Sequence, residues 1–389
     1  MRRLGVALVL AGSTFAAREA KAVDCSTLPA PTYGIGGSAQ KPLIAKFAAG
    51  LAAAPTPQTI IYQAPGACLG INALIGNTPL TGTASYWDGT GKELTCTLPT
   101  AGQQADYGAM GNSATACSGI TSLPADIGDF LGPVNTYNLI VPVASSQTAI
   151  SSEAAYFVFG FGQAGQVQPW IDDSQIYRRD ANSAAQLFIA FASGVPAEKF
   201  KGIDTKTNAG TISGVAQSPK PEAAIGLVSG ELADANRATV RTLAYQHKGQ
   251  RCGFLPDATS STFDKTNVRN GQYYIWAPLH FFAKVDGNKK IISADTAKFI
   301  GLFTGEVEAP ATLNVLQTEI KAGTIPKCAM NVWRETDLGN VTKLQPDKPC
   351  GCYFDSIATG KTSCTACTDN SQCTTAGAGV CRNNFCEAR

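Results

Sequence analysis

Charge and titratable chemistry are scarce in this chain of 389 residues. Only 15% of its residues are charged and only two are histidine. His247 and His280 sit in neither a metal-ligand spacing nor a nucleophile setting, and no Gly-x-Ser-x-Gly elbow occurs. The sequence therefore offers no enzyme chemistry and calls for no cofactor and no metal. A basic footprint is missing too: 31 Lys and Arg stand against 29 Asp and Glu, which excludes nucleic acid as a partner. No apolar run after the N-terminus reaches the ~18 residues of a spanning helix. The glycines of Phe159-Gly160-Phe161-Gly162-Gln163-Ala164-Gly165 lack the strand and the Lys or acidic residue that a nucleotide loop requires.

What the chain does have begins with a processing segment. Arg2 and Arg3 precede an apolar run, Leu4 to Leu10, too short to cross a bilayer. Ala20-Lys21-Ala22 follows as an A-x-A cleavage site. Residues 1–22 read as a signal peptide. The mature chain, from Val23, is then soluble and exported across the inner membrane, to the periplasm or beyond. Lipid attachment at Cys25 is disfavoured by Asp24 directly before it. Removing four basic and one acidic residue leaves 27 basic against 28 acidic side chains. About 365 residues suffice for two cores.

Thirteen cysteines in an exported chain predict disulfides. Cys25, Cys68, Cys96, Cys117 and Cys252 are scattered and Cys328 stands alone. Seven crowd residues 350–386. The odd count leaves one thiol free, lipidated or bridging two chains. That tail holds almost no large apolar residue, so it needs cross-links of about 2–4 kcal/mol each and is expected to stand beyond the main core. Cys364-x-x-Cys367 reads as half a zinc site, but export favours disulfides.

Tyr177-Arg178-Arg179-Asp180-Ala181-Asn182-Ser183 is a polar turn running into the apolar Leu187 to Phe191. That order predicts a loop, a cap at Asn182 or Ser183, and a buried helix. Unpaired backbone N–H groups at the helix start beside a guanidinium make a candidate anion seat.

Around it the chain alternates strand, glycine turn and helix. Tyr33 to Ser38 leads into a helical stripe at Leu43, Ile44, Phe47 and Leu51. Thr59 to Tyr62 leads through Pro65-Gly66-Ala67 into a second helix. Residues 78–104 read as an excursion or hairpin. The strand Ala105 to Met110 follows, with a Cys96–Cys117 pairing expected across it. Tyr137 to Val143 is an apolar strand, and Ser151 to Phe161 an aromatic helix expected to be buried. Ala223 to Ser229, Arg241 to Tyr245 and Tyr273 to Pro278 read as extended. Asp295 to Phe303 and Thr312 to Ala322 read as helices. This is the grammar of a parallel α/β sheet, in which ligands sit at the carboxyl ends of strands.

Six collinear stretches carry a resemblance: Gly34-Ile35-Gly36-Gly37-Ser38-Ala39, Ile61 to Ile71, Asp106-Tyr107-Gly108-Ala109-Met110-Gly111, Arg179 to Ala185, Ala224 to Ser229, and Tyr274-Ile275-Trp276. Over residues 30–340 the chain resembles the phosphate-binding components of ABC importers. That resemblance implies a two-lobed type II periplasmic binding protein fold with a small disulfide-rich C-terminal extension. It implies lobe one over residues 23–137 and 273–343, lobe two over 138–272, and the tail over 344–389. It also implies an interlobe anion site at Gly37, Ser38, Ala39, Gly66, Ala67, Gly111, Asn112, Arg179, Ser183, Ala184 and Ala185.

Departures fall on that site. The family's Ser is Ala67, its Gly is Ala184, its Thr is Ala185, and its Asp is Gly111, with Asn112 beside it. Each lost hydroxyl removes about 1.5–3 kcal/mol from a bound dianion, and losing the Asp weakens discrimination of phosphate from sulfate. Two functions follow. One is a receptor delivering phosphate or a similar oxyanion to ABC transporter membrane subunits. The other is a scaffold that has lost its ligand and acts as an envelope or extracellular interaction protein.

Overall fold

The computed structural model of the protein describes residues 23–374 and 378–388; the signal peptide expected over residues 1–22 lies outside them. Among the described residues no helix is long and apolar enough to cross a membrane.

One curled sheet organises the chain. Its strands lie in the order Val23–Asp24, Glu93–Thr97, Thr83–Trp87, Thr59–Gln63, Pro31–Gly36, Tyr107–Met110, Trp276–Lys284, Ile127–Pro142, Ile225–Ser229, Ile176–Arg178 and Ile203–Asp204. Pro31–Gly36 pairs in parallel with both Thr59–Gln63 and Tyr107–Met110. Parallel strands bury both faces, which explains their continuous apolar runs. Gly36 is needed where they converge, because a Cβ there would lie 1.9 Å from the Ala109 carbonyl oxygen.

The strand Ile127–Pro142 belongs to both lobes. Through Thr136 it pairs with Trp276–Lys284, and from Tyr137 to Ile140 with Ile225–Ser229. The sequence reading found only its second half. Gly128, Asp129, Gly132 and Asn135 break the apolar pattern of the first half, although Asn135 is buried. On one lobe Phe47, Phe281, Phe299 and Phe303 pack together, with ring centroids of Phe47 and Phe281 at 4.0 and 4.4 Å from Phe303. Burial of each ring contributes about 1.5–3 kcal/mol. A larger cluster joins Tyr137, Phe159, Phe188, Ile225 and Leu227 of the other lobe to Met110 and Trp276.

Three expectations need correction. Cys96 bonds Cys25, and Cys117 bonds Cys68. Val23–Asp24 pairs with Glu93–Thr97 and carries Cys25 to Cys96. The aromatic helix Ser152–Phe161 buries Phe159 but exposes Tyr156, Phe157 and Phe161, because those three rings pack on one another rather than into the sheet. The tail does not stand apart. Its helix Gly351–Thr359 places Phe354 in the larger core, Arg269 pairs with Asp355 at 2.5 Å, and Cys328–Cys350 ties it to the body. Cys352–Cys364, Cys367–Cys381 and Cys373–Cys386 complete its cross-links, so both halves of the zinc-like pair are in disulfides. Cys252 is the free thiol, and it is exposed.

Candidate functional site

Three helix N-termini meet at one small cavity between the lobes. They belong to the helices Ala67–Ile75, Ala184–Ser193 and Asn208–Ala216. Ser183 caps its helix by accepting the Gln186 N–H at 3.3 Å, and Thr207 caps the next by accepting the Gly210 N–H at 2.9 Å. Such caps satisfy one N–H each and leave others facing outward. The amides of Ala184 and Ala185 have no acceptor among the described residues.

The cavity measures about 70 Å³. That is roughly two water molecules' share of liquid volume and well below the ~300 Å³ at which pockets for organic ligands begin. Gly37, Ser38, Ala39, Gly66, Ala67, Arg179, Ser183, Ala184 and Ala185 all line it. Asp180, Lys206, Thr207 and Asn208 line it as well, and the sequence reading did not place them there. For Thr207 and Asn208 the signal was legible: Thr207-Asn208-Ala209-Gly210 is a polar turn running into Ile212 and Val215, the same order as the stretch before Leu187.

Arg179 is the charged group of the cavity that is buried, at 4% exposure. It donates through Nη1 to Asn208 Oδ1 and through Nη2 to the Lys206 carbonyl at 3.1 Å. Its Nε–H has no partner. The carboxylate beside it, Asp180, stands 3.9 Å from Nη2. Burial draws its pKa down, opposed by Asp180 and Asp204, but a guanidinium stays charged at neutral pH. Neutral acceptors thus make the hydrogen bonds to this buried cation, with Asp180 at 3.9 Å as its nearest carboxylate. Arg178 points elsewhere, 3.5 Å from Asp204.

Gly111 and Asn112 do not line the cavity. The Gly111 carbonyl accepts from Tyr137 Oη at 2.7 Å. Its N–H donates to the amide oxygen of buried Gln40 at 3.2 Å, while Gln40 donates to the Gly37 carbonyl at 3.1 Å. Both backbone groups are engaged inside the fold. Asn112 is fully buried. Two further amides are already in use: Gly66 N–H donates to the Gly36 carbonyl and Ala67 N–H to the Asn182 carbonyl, each at 3.1 Å. The second of these bonds joins the two lobes directly.

No family model matches the sequence, and no curated protein matches it. Solved structures do. One, described as a "putative phosphate ABC transporter substrate-binding protein with bound phosphate" from Clostridium perfringens, aligns over 76% of this chain and 99% of its own. The TM-score is 0.51 at 14% identity. The chain has the type II periplasmic binding protein fold. An ABC-type phosphate transport receptor from Vibrio cholerae aligns over 76% of this chain and 99% of its own, with a TM-score of 0.48 at 13% identity. A high-affinity periplasmic phosphate-binding protein bound with phosphate aligns over 76% and 90%, with a TM-score of 0.48 at 12% identity.

Proposed function

We propose that the protein is an exported solute-binding protein whose interlobe cavity holds a small tetrahedral oxyanion, phosphate before others, for delivery to the membrane subunits of an ABC importer. The observation that carries this reading is Arg179. A buried guanidinium lining a cavity of about 70 Å³, with its nearest carboxylate 3.9 Å away, carries a charge that an anion would satisfy. The free amides of Ala184 and Ala185 and the hydroxyls of Ser38 and Ser183 would complete the shell. Asp180 on the wall supplies an acceptor suited to a protonated oxygen.

A second reading rests on the Ala67–Asn182 bond. That bond closes directly between two backbone groups of the cavity wall, and the hydroxyls expected at positions 67 and 185 are gone. A scaffold that stays closed and acts through its surface would have these features. Calorimetry with phosphate, arsenate and sulfate, after stripping bound anion by denaturation and refolding, separates the two. Micromolar or tighter phosphate binding supports the receptor. No heat with any of the three supports the scaffold.

A further inference from the structure

A line of buried polar side chains leaves the cavity and ends at a carboxyl group near the strand that the lobes share. Arg179 Nη1 donates to Asn208 Oδ1. Asn208 Nδ2 donates to Ser229 Oγ at 3.4 Å, and Ser229 Oγ donates to Glu231 Oε1 at 2.5 Å. Asn135 Nδ2 donates to Glu231 Oε2 at 2.9 Å, while Asn135 Oδ1 accepts the Thr136 N–H at 2.8 Å. Arg179, Asn208, Ser229, Glu231 and Asn135 are all more than nine-tenths buried. We propose that anion binding at Arg179 is coupled to uptake of one proton by Glu231, transmitted through Asn208 and Ser229. This rests on reading the cavity as an oxyanion site.

The polarity of the line is the reason. With Glu231 ionised, every donor points from the cavity toward the carboxylate. Asn208 is then fixed with its oxygen on Arg179. A proton on Oε2 would oppose the Asn135 amide, which Thr136 holds in place, so the proton goes to Oε1. The Ser229 hydroxyl must then turn away. Its proton then needs a new acceptor, which Asn208 Oδ1 supplies if the amide turns over. An oxyanion in the cavity favours that turn by replacing Oδ1 as the acceptor of Arg179 Nη1. Coulomb's law gives the same sign, since protonation removes a buried negative charge from the neighbourhood of the anion. By linkage, an anion that prefers the protonated state raises the affinity of Glu231 for its proton.

The surroundings leave this carboxyl free to respond. Burial pushes it up to about 7, and Asp234 on its own helix adds to the rise, against the bonds from Ser229 and Asn135. Glu231 lines a surface groove that Lys265 also lines, but Lys265 is engaged by Asp234 at 2.6 Å and Asp257 at 3.0 Å. Arg237 is held by the same two aspartates. Lys46 and Lys321 line the groove from two other helices, and Tyr137 faces Glu231 from the shared strand. None of these cations lies within 4.0 Å of the Glu231 carboxylate. At the other end Asp180 and Asp204 face Arg179.

The first experiment needs no ligand. The Glu231 carboxyl is titrated by NMR of protein labelled at the glutamate side-chain carboxyl carbon, in wild type and Arg179→Met. Loss of the cation should raise the midpoint by about half a unit or more, and an unmoved midpoint overturns the coupling. Phosphate calorimetry then compares pH 6 with pH 8, in two buffers of different ionisation enthalpy. Wild type should lose about five- to tenfold more affinity than Glu231→Gln across that range. It should also take up about half a proton more near pH 7. Equal slopes in the two proteins overturn the proposal. Ser229→Ala, which breaks the line while keeping both ends, should flatten the slope as well. A shifted midpoint with no binding of phosphate, arsenate or sulfate retires the oxyanion reading and leaves the Arg179–Glu231 linkage standing.

Discussion

The hydroxyl of Tyr137 lies 2.7 Å from the Gly111 carbonyl oxygen and would lie 1.8 Å from a Cβ on Gly111. A tyrosine from the shared strand fills the space that an aspartate at position 111 would occupy. Both residues are buried, and Phe188 stacks on the tyrosine at 5.1 Å between centroids.

Gly111→Asp should therefore restore nothing at the cavity. It should destabilise the protein by about 2–4 kcal/mol through overpacking and a buried carboxylate. Combining it with Tyr137→Phe should recover part of the loss. Chemical denaturation of the two variants measures both effects, and a Gly111→Asp protein as stable as wild type contradicts this packing.

Arg179→Ala should abolish phosphate binding, since the anion would be desolvated without a charged partner. Arg179→Lys should recover little, because an ammonium cannot reproduce the planar fork. Arg178→Ala should change affinity far less, its charge being directed at Asp204. Calorimetry at low and moderate salt distinguishes the three. Equal binding by wild type and Arg179→Ala would remove Arg179 from the site.

Adding hydroxyls should help. Ala67→Ser and Ala185→Thr each put a donor on the cavity wall, and each should raise phosphate affinity about tenfold if one hydrogen bond to the anion forms. A closed scaffold without a ligand would give no gain from either.

Glu231 sets a pH dependence of stability. Its native pKa is about 7 against an ordinary value of 4.5. Below 4.5 both folded and unfolded states carry the proton. Between 4.5 and about 7 the unfolded chain releases it and the native protein keeps it, so stability falls as pH rises through that window and levels off above it. The loss amounts to roughly 3 kcal/mol at most. Glu231→Gln should lack this slope, as urea titrations at pH 4.5, 6 and 8 would reveal. A parallel slope in the variant contradicts the assignment.

The tail should be held to the body by Cys328–Cys350. Replacing both by Ser should lower stability by about 3 kcal/mol, the loop-closure value for a separation of 22 residues. It should also make the segment after Lys343 sensitive to protease. Peptide mapping of the untreated protein should recover that bridge, and finding Cys328 as a free thiol would refute it.

Much of the architecture was legible from local grammar. Glycine turns after Tyr33 and Tyr62, a cap at Asn182 or Ser183 and the apolar helix behind it follow from residue order alone; the turns and the helix stand in the fold, and Ser183 is the cap. The illegible parts depend on partners distant in sequence. Nothing near Gly111 tells that Tyr137 and Gln40 will claim its carbonyl and its N–H. Nothing near Phe354 tells that a cysteine-rich tail will enter the core, because a single buried ring gives no periodicity. Asp180 went unnoticed as a wall residue since a loop position carries no period at all.

Because Ile127–Pro142 runs unbroken from one lobe into the other, the molecule has no slack joint there. Any opening of the lobes would twist this ladder of backbone hydrogen bonds. Motion of this kind moves probes placed far from the strand through long arcs and barely displaces probes at Thr136 and Trp276, the pair at the turning point. A spin label on the exposed Cys252, paired with one at Thr90, would read the long arc. The axle itself would stay silent.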